Sequence, residues 1–213
     1  MHGTAALHWH YGRRTERVKK IKEETPTFQD KYVVIGADLS LKRPGFAYVE
    51  IDNNNGKAEI VNSMLFSVDN KKTTKKTRGR LLSEIGEKFK QIMQMAVDSQ
   101  KQIFFVREAS INNSSFGKRS GTAARTGISE VVGVMDLLVW EKLEAEWQEL
   151  YPVSIKKLIT GNGKAEKELV AQCLEYYVKD KEYKNDDESD AMAVAIAWLI
   201  KNNQIKQHDF KVK

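Results

Sequence analysis

Two short apolar runs, each closed by a carboxylate, limit what this chain can fold into more than any other feature. The first is Tyr32-Val33-Val34-Ile35-Gly36-Ala37-Asp38; the second is Ile103-Phe104-Phe105-Val106, followed by Arg107 and Glu108. Both are β-branched or aromatic and too short for a helix, so both predict buried strands. Burying an ionised carboxylate without a partner costs on the order of several kcal/mol, so such a group is usually paired or bound to a cation. If the two strands are parallel neighbours, Asp38 and Glu108 emerge together at one edge of the sheet, where α/β proteins hold their ligands. Taken singly, each acid reads more simply as a strand-end group facing water.

The rest of the chain supplies partners for these strands. Pro44-Gly45 marks a turn, Phe46 to Ile51 predicts a second strand, Asn53-Asn54-Asn55-Gly56 a hairpin loop, and Ala58 to Phe66 a third strand. Three strands on short links imply an antiparallel meander. A basic loop follows, with Lys71, Lys72, Lys75, Lys76, Arg78 and Arg80. Leu82, Ile85, Phe89, Ile92, Met93 and Ala96 then recur at helical spacing. Asn112 to Gly121 reads as loop. A long helix from about Ala123 to Glu144 presents Ile128, Val131, Val132, Val134, Met135, Leu138, Val139 and Leu143. That face is wide enough to be buried on two sides or shared with a partner subunit. Trp147 to Val153 predicts a last strand, and Lys164–Tyr177 and Asp187–Lys201 two more helices. The order β-β-β-α-β-α-β-α-α is that of an RNase H-like α/β sandwich, a mixed five-stranded sheet flanked by helices.

A second acidic group stands near the end of the chain. Asn185-Asp186-Asp187-Glu188-Ser189-Asp190 precedes Ala191-Met192-Ala193-Val194-Ala195-Ile196-Ala197-Trp198. Acids at a helix N-terminus complement its dipole, worth roughly 0.3–1 kcal/mol each. Four within five positions exceed what a cap needs and repel one another. Asp187 and Asp190 are three apart and share one side of the helix; the alanine-rich stretch behind them can press close to a sheet. Like charges gathered this way raise one another's pKa unless a cation neutralises them. An oxygen-only donor set points to Mg²⁺ or Mn²⁺ rather than zinc.

Among 213 residues, Lys and Arg number 35 against 29 acids, a net charge of +6 that favours a polyanionic partner. The single cysteine, Cys173, excludes a disulfide framework and a cysteine-based zinc site, and fits a reducing compartment such as the cytoplasm. No apolar run approaches the ~18 residues of a membrane span, so no membrane partner is expected. Residues 1–30, with Arg13, Arg14, Arg17, Lys19, Lys20 and Lys22, read as a basic extension, disordered or partly vector-derived. His2, His8 and His10 around Trp9 offer a metal site as the alternative reading of that stretch. The folded domain is expected over residues 31–203, with a tail at 204–213.

Four segments together resemble the RuvC-type Holliday junction resolvases. Gly36-Ala37-Asp38 with Gly45-Phe46-Ala47 resembles that family's first motif, and Ile103 to Glu108 its second acidic motif. The stretch Ser154-Ile155-Lys156-Lys157-Leu158-Ile159-Thr160-Gly161-Asn162-Gly163-Lys164-Ala165-Glu166-Lys167 is similar to its basic segment. Asp187-Glu188-Ser189-Asp190-Ala191 is similar to its closing Asp-x-x-Asp-Ala motif.

The resemblance implies a homodimer that binds four-way DNA junctions and nicks opposed strands symmetrically, leaving 5′-phosphate and 3′-hydroxyl ends. Asp38, Glu108, Asp187 and Asp190 would hold two Mg²⁺ ions (Mn²⁺ substituting), Lys167 would support the reaction, and Lys156 would contact DNA. Lys75, Lys76, Arg78, Arg80, Lys118 and Arg119 are candidate phosphate contacts. Gly161 and Gly163 would open the helix carrying Lys167 and offer its amides to a phosphate. The position three beyond Glu108, where bacterial members can carry an aromatic wedge, is Ile111, so Phe116 is the candidate stacking residue. With the basic loop and arm as elaborations, a bacteriophage or divergent member fits, acting in a bacterial cell or an infected host. Two alternatives stand beside it: an RNase H-like nuclease of forks, flaps or RNA–DNA hybrids, and a non-catalytic module that binds branched nucleic acid. A sugar kinase or actin-like ATPase also ends its first strand in Asp, but needs a second lobe for which this length leaves no room.

Overall fold

The computed structural model describes residues 26–54, 57–68, 77–109, 122–179 and 181–210. Strand β1 (Lys31–Asp38) forms the centre of a five-stranded sheet ordered β3-β2-β1-β4-β5. It pairs antiparallel with β2 (Gly45–Asn54), which pairs antiparallel with β3 (Lys57–Ser67). On its other side β1 runs parallel to β4 (Gln102–Glu108), and β4 parallel to β5 (Trp147–Leu150). This is the expected mixed sheet.

Residues 32–37 are buried without a break because helices cover both faces of the sheet. Tyr32, Val34, Ala47, Val49 and Val106 face the layer that contains α5 (Asp186–Lys201), with α3 (Pro152–Thr160) and α4 (Lys167–Tyr177) behind it. Val33, Ile35, Ala37, Phe46 and Phe105 face α1 (Arg78–Asp98) and α2 (Thr122–Leu143). Helix α5 is buried at every position from Ala191 to Ile200, as expected of a helix apolar on all sides. The one polar group of its large Trp198 side chain is satisfied, the indole N–H donating to Gln148 Oε1 at 2.7 Å.

Small residues set how near α5 comes. A Cβ on Gly36 would lie 2.5 Å from the carbonyl oxygen of Ala191 and 2.9 Å from Ala195 Cβ. On Gly45 it would lie 2.0 Å from the carbonyl oxygen of Asp187. The helix therefore rests on sheet backbone, a separation only glycine allows at these points.

Several expectations are corrected. The last strand stops at Leu150, because Pro152 takes the first turn of α3, where its missing N–H leaves no bond unmade. The helix predicted from Lys164 starts at Lys167, with Glu166 as its N-cap. Gly161 does not open that helix: at φ 79° it closes α3, its N–H donating to the Lys157 carbonyl at 2.9 Å. Arg78 and Arg80 belong to the first turn of α1 rather than to a loop, where Arg78 pairs with Glu130 and Arg80 with Glu84. On α2, Val131, Met135 and Val139 are buried, while Leu137 and Trp140, outside the expected face, are each 55% exposed. Asn55, Gly56 and the hairpin turn lie outside the described residues, as do residues 1–25 of the arm with its histidines and the segments 69–76 and 110–121.

Candidate metal centre at the sheet edge

The parallel pairing of β1 with β4 runs in step through Gly36–Val106 and Ala37–Arg107. One residue further on, both strands end, in Asp38 and Glu108. Across the other side of β1, Asp38 is paired with Gly45, and Gly45 is the residue on which the backbone of Asp187 rests. The first turn of α5 is thereby brought over the end of β1. Asn185 caps that turn, its side chain accepting from the Glu188 N–H at 3.1 Å.

The four acids feel one another. Burial pushes the Asp38 carboxyl up to about 7, with Glu108, Asp190 and Asp187 adding to the rise and Lys167 opposing it. Glu108 is also raised, first by burial and then by Asp190, against the pull of Lys167 and Lys156. Asp187 is raised by burial; Arg43 and Lys167 hold it down, and Asp190 adds to the rise. Burial is the leading cause in all three, and the convergence of carboxylates from different elements adds to it.

Two cations pair directly with acids of the cluster. Lys167, at the start of α4, hydrogen-bonds and ion-pairs with Asp190. Burial acts to lower its pKa, but Asp190, then Asp38 and Asp186, leave it above the ordinary lysine value. Arg43, in the link between β1 and β2, places Nε 3.1 Å from Asp187 Oδ2. That oxygen is buried and accepts no hydrogen bond among the described residues, so the guanidinium balances its charge without an aligned N–H.

These residues fit a hard divalent cation. The donors are carboxylate oxygens, one of them a buried acceptor left unfilled, and Asp38 carries charge repulsion that a cation would relieve. No three of the described His, Cys, Asp or Glu side chains already form a cage. Lys167 sits among the acids as their counter-ion.

Glu188, between the two aspartates, has a different task. It is 2% exposed, accepting from Ser67 Oγ at 2.9 Å and from the Lys184 N–H at 3.0 Å. It fastens the start of α5 to β3. Nothing in the local pattern signals this, since one acid among four looks like the others. Arg43 was also missed; its position five residues past Asp38 was the available signal.

Of the candidate DNA contacts, Lys156 on α3 turns inward, Nζ donating to the Ala165 carbonyl at 2.6 Å, and its charge reaches Glu108. Arg78 lies at the same end of the sheet as Asp38: a Cβ on Gly127 would touch both the Arg78 guanidinium and Leu41, three residues beyond Asp38. Arg80 is two residues further along the same turn, while Lys75, Lys76, Phe116, Lys118 and Arg119 fall outside the described residues.

Comparison with known proteins sets this geometry in context. A family model described as "Crossover junction endodeoxyribonuclease RuvC" matches residues 34–198. A protein of that name from Brachyspira hyodysenteriae is 27% identical over 177 residues, covering 82% of this chain and 99% of the relative. Another, from Bdellovibrio bacteriovorus, is 29% identical over 177 residues, covering 82% and 95%. Among solved structures, T. thermophilus RuvC in complex with Holliday junction substrate superposes with a TM-score of 0.58 at 17% identity, covering 78% of this chain and 91% of that one. The Thermus thermophilus RuvC structure gives 0.58 at 14% identity, covering 80% and 96%. At such identities the structural likeness speaks to the fold.

Proposed function

Because this chain belongs to the RuvC family of crossover junction endodeoxyribonucleases, we propose that it resolves four-way DNA junctions by paired nicks, using Asp38, Glu108, Asp187 and Asp190 to hold divalent metal. Family membership carries endonuclease activity on branched DNA and dependence on a divalent metal. The finer reading is two Mg²⁺ ions per site, with Mn²⁺ able to substitute. The observation that supports it most directly is the convergence of four carboxylates from β1, β4 and α5 on one sheet edge, with the Lys167 ammonium among them.

The protein's own groups divide the work. Asp38 and Glu108, fixed at the ends of paired strands, give the site a rigid floor; Asp187 and Asp190 close it from α5. Lys167, already bound to Asp190, adds positive charge where negative charge develops on the phosphate in the transition state. Lys156 and Arg78 supply charge at the same edge for the DNA backbone. Bound Mg²⁺ would supply activation of the attacking water and neutralisation of the leaving 3′ oxygen.

The working form in this reading is a homodimer, since a junction has two opposed strands to cut, and the exposed Leu137 and Trp140 on α2 are its candidate contact. No helix among the described residues is long and apolar enough to cross a membrane, and we place the enzyme in the cytoplasm of a bacterial cell or infected host. The deciding experiment is cleavage of a synthetic four-way junction with and without Mg²⁺, beside a flap, an RNA–DNA hybrid and a linear duplex. Symmetric nicks on the junction alone support the reading; preferential cutting of hybrid or flap replaces it, and binding without Mg²⁺-dependent nicking removes the enzyme reading.

A further inference from the structure

We infer that Arg43 is a resident counter-ion of this site, a positioning residue that holds Asp187 and sets how tightly the acidic cluster takes up a divalent ion. The inference rests on the reading above, that Asp187 is a metal ligand.

Arg43 sits in the short link between Asp38 and Gly45, so it starts within the site rather than reaching in from outside. Two contacts from that link meet at one residue. Gly45 supports the Asp187 backbone, and Arg43 Nε lies 3.1 Å from the Asp187 carboxylate, the two side chains only 29% and 16% exposed. The pairing is electrostatic: Asp187 Oδ2 is buried and accepts no hydrogen bond among the described residues, so its capacity as an acceptor is unused. Lys167 does the equivalent for Asp190 through a hydrogen bond as well as charge. Each helix carboxylate thus has its own cation.

A guanidinium stays charged at any working pH, so Arg43 cannot withdraw by losing a proton. A divalent ion entering beside Asp187 meets that charge at close range. Opposite charges within about 4–6 Å shift a carboxylate's proton affinity by tenfold or more, and the same field weakens its affinity for a metal. Neutralising Arg43 should therefore strengthen metal binding by about tenfold, the reverse of what losing an ordinary structural contact would do.

The test is titration of Mn²⁺ into the DNA-free full-length protein, followed by calorimetry, for wild type, Arg43→Gln, Arg43→Lys, Asp187→Asn and the Arg43→Gln/Asp187→Asn double variant, each with its melting temperature. Arg43→Gln is expected to bind Mn²⁺ about tenfold tighter, Arg43→Lys to stay near wild type, and the gain to vanish in the double variant. Unchanged or weaker Mn²⁺ binding by a folded Arg43→Gln protein, with Asp187→Asn still defective, overturns the Arg43 inference alone. Wild-type Mn²⁺ binding by Asp187→Asn removes Asp187 from the ligand set and takes both readings down. Arg43→Gln that melts early and binds weakly, while Arg43→Lys also loses affinity, assigns Arg43 to the fold and overturns the inference.

Discussion

Asp38→Asn should make the metal-free protein more stable at neutral pH while destroying its activity. The Asp38 carboxyl rises from 3.8 to about 7 in the folded chain, so the proton is held more tightly folded than unfolded. The consequence has a definite sign. Below about pH 4 the group is protonated in both states and costs nothing. Between pH 4 and 7 the unfolded state loses its proton first, and stability falls as pH rises; above 7 the full cost remains. A rise from 3.8 to about 7 corresponds to about 4 kcal/mol at 1.36 kcal/mol for each tenfold step in proton affinity. Solvent at the mouth of the site screens part of this, so roughly 2–4 kcal/mol is the expected gain for the neutral isostere. For a chain of this length that is a melting temperature higher by roughly 4–15 °C.

The assay is urea unfolding of wild type and Asp38→Asn in EDTA at several pH values. The two curves should lie close near pH 4 and separate up to pH 7. Mg²⁺ at pH 8 should then stabilise wild type more than the variant, because only wild type keeps the full ligand set. An Asp38→Asn protein no more stable than wild type at pH 8 in EDTA would refute the picture of a buried carboxylate ionised at a cost among acidic neighbours.

Other outcomes follow from the same geometry. Glu108→Gln and Asp190→Asn should each abolish Mg²⁺-dependent nicking and leave junction binding near wild type by gel shift; retained cleavage removes that residue from the site. Gly45→Ala adds a methyl 2.0 Å from the Asp187 carbonyl oxygen, so α5 must lift; overpacking of this kind costs about 1–3 kcal/mol. Cleavage should fall at least tenfold with junction affinity retained, whereas full activity would mean that α5 need not press on the sheet. Leu137→Asp with Trp140→Glu should convert a dimer to monomer in sedimentation and abolish paired nicking; an unchanged sedimentation coefficient would move the interface elsewhere.

The central strands and both strand-end acids were legible in the sequence because burial on two faces leaves a short continuous apolar run rich in β-branched and aromatic residues. The α5 acids were legible for a related reason: charge next to a fully apolar helix is conspicuous. Helix α3 escaped because its nine residues follow a four-residue strand almost directly, and the apolar residues of both merge into one short run. Pro152 was the overlooked marker, since proline favours the first turn of a helix. What could not be read were contacts between distant residues. Arg43 meets Asp187 only because Gly45 lets α5 descend onto the sheet, and Glu188 meets Ser67 across 121 positions. No local pattern records such pairs.

The order in which the site's parts occur along the chain has a consequence for how the protein is made. Asp38 opens the sheet, but Asp187 and Asp190 arrive only with α5, the last helix. At synthesis rates of about 5–20 residues per second, those pieces emerge roughly 8–30 s apart. During that interval the nascent chain has at most two of the four acids, and nothing to lay over Gly36 and Gly45. It cannot yet cut. A ribosome that stalls or a protease that clips before α5 leaves a fragment harmless to the DNA around it, so that in this reading the synthesis of α5 is itself the safety catch on the nuclease.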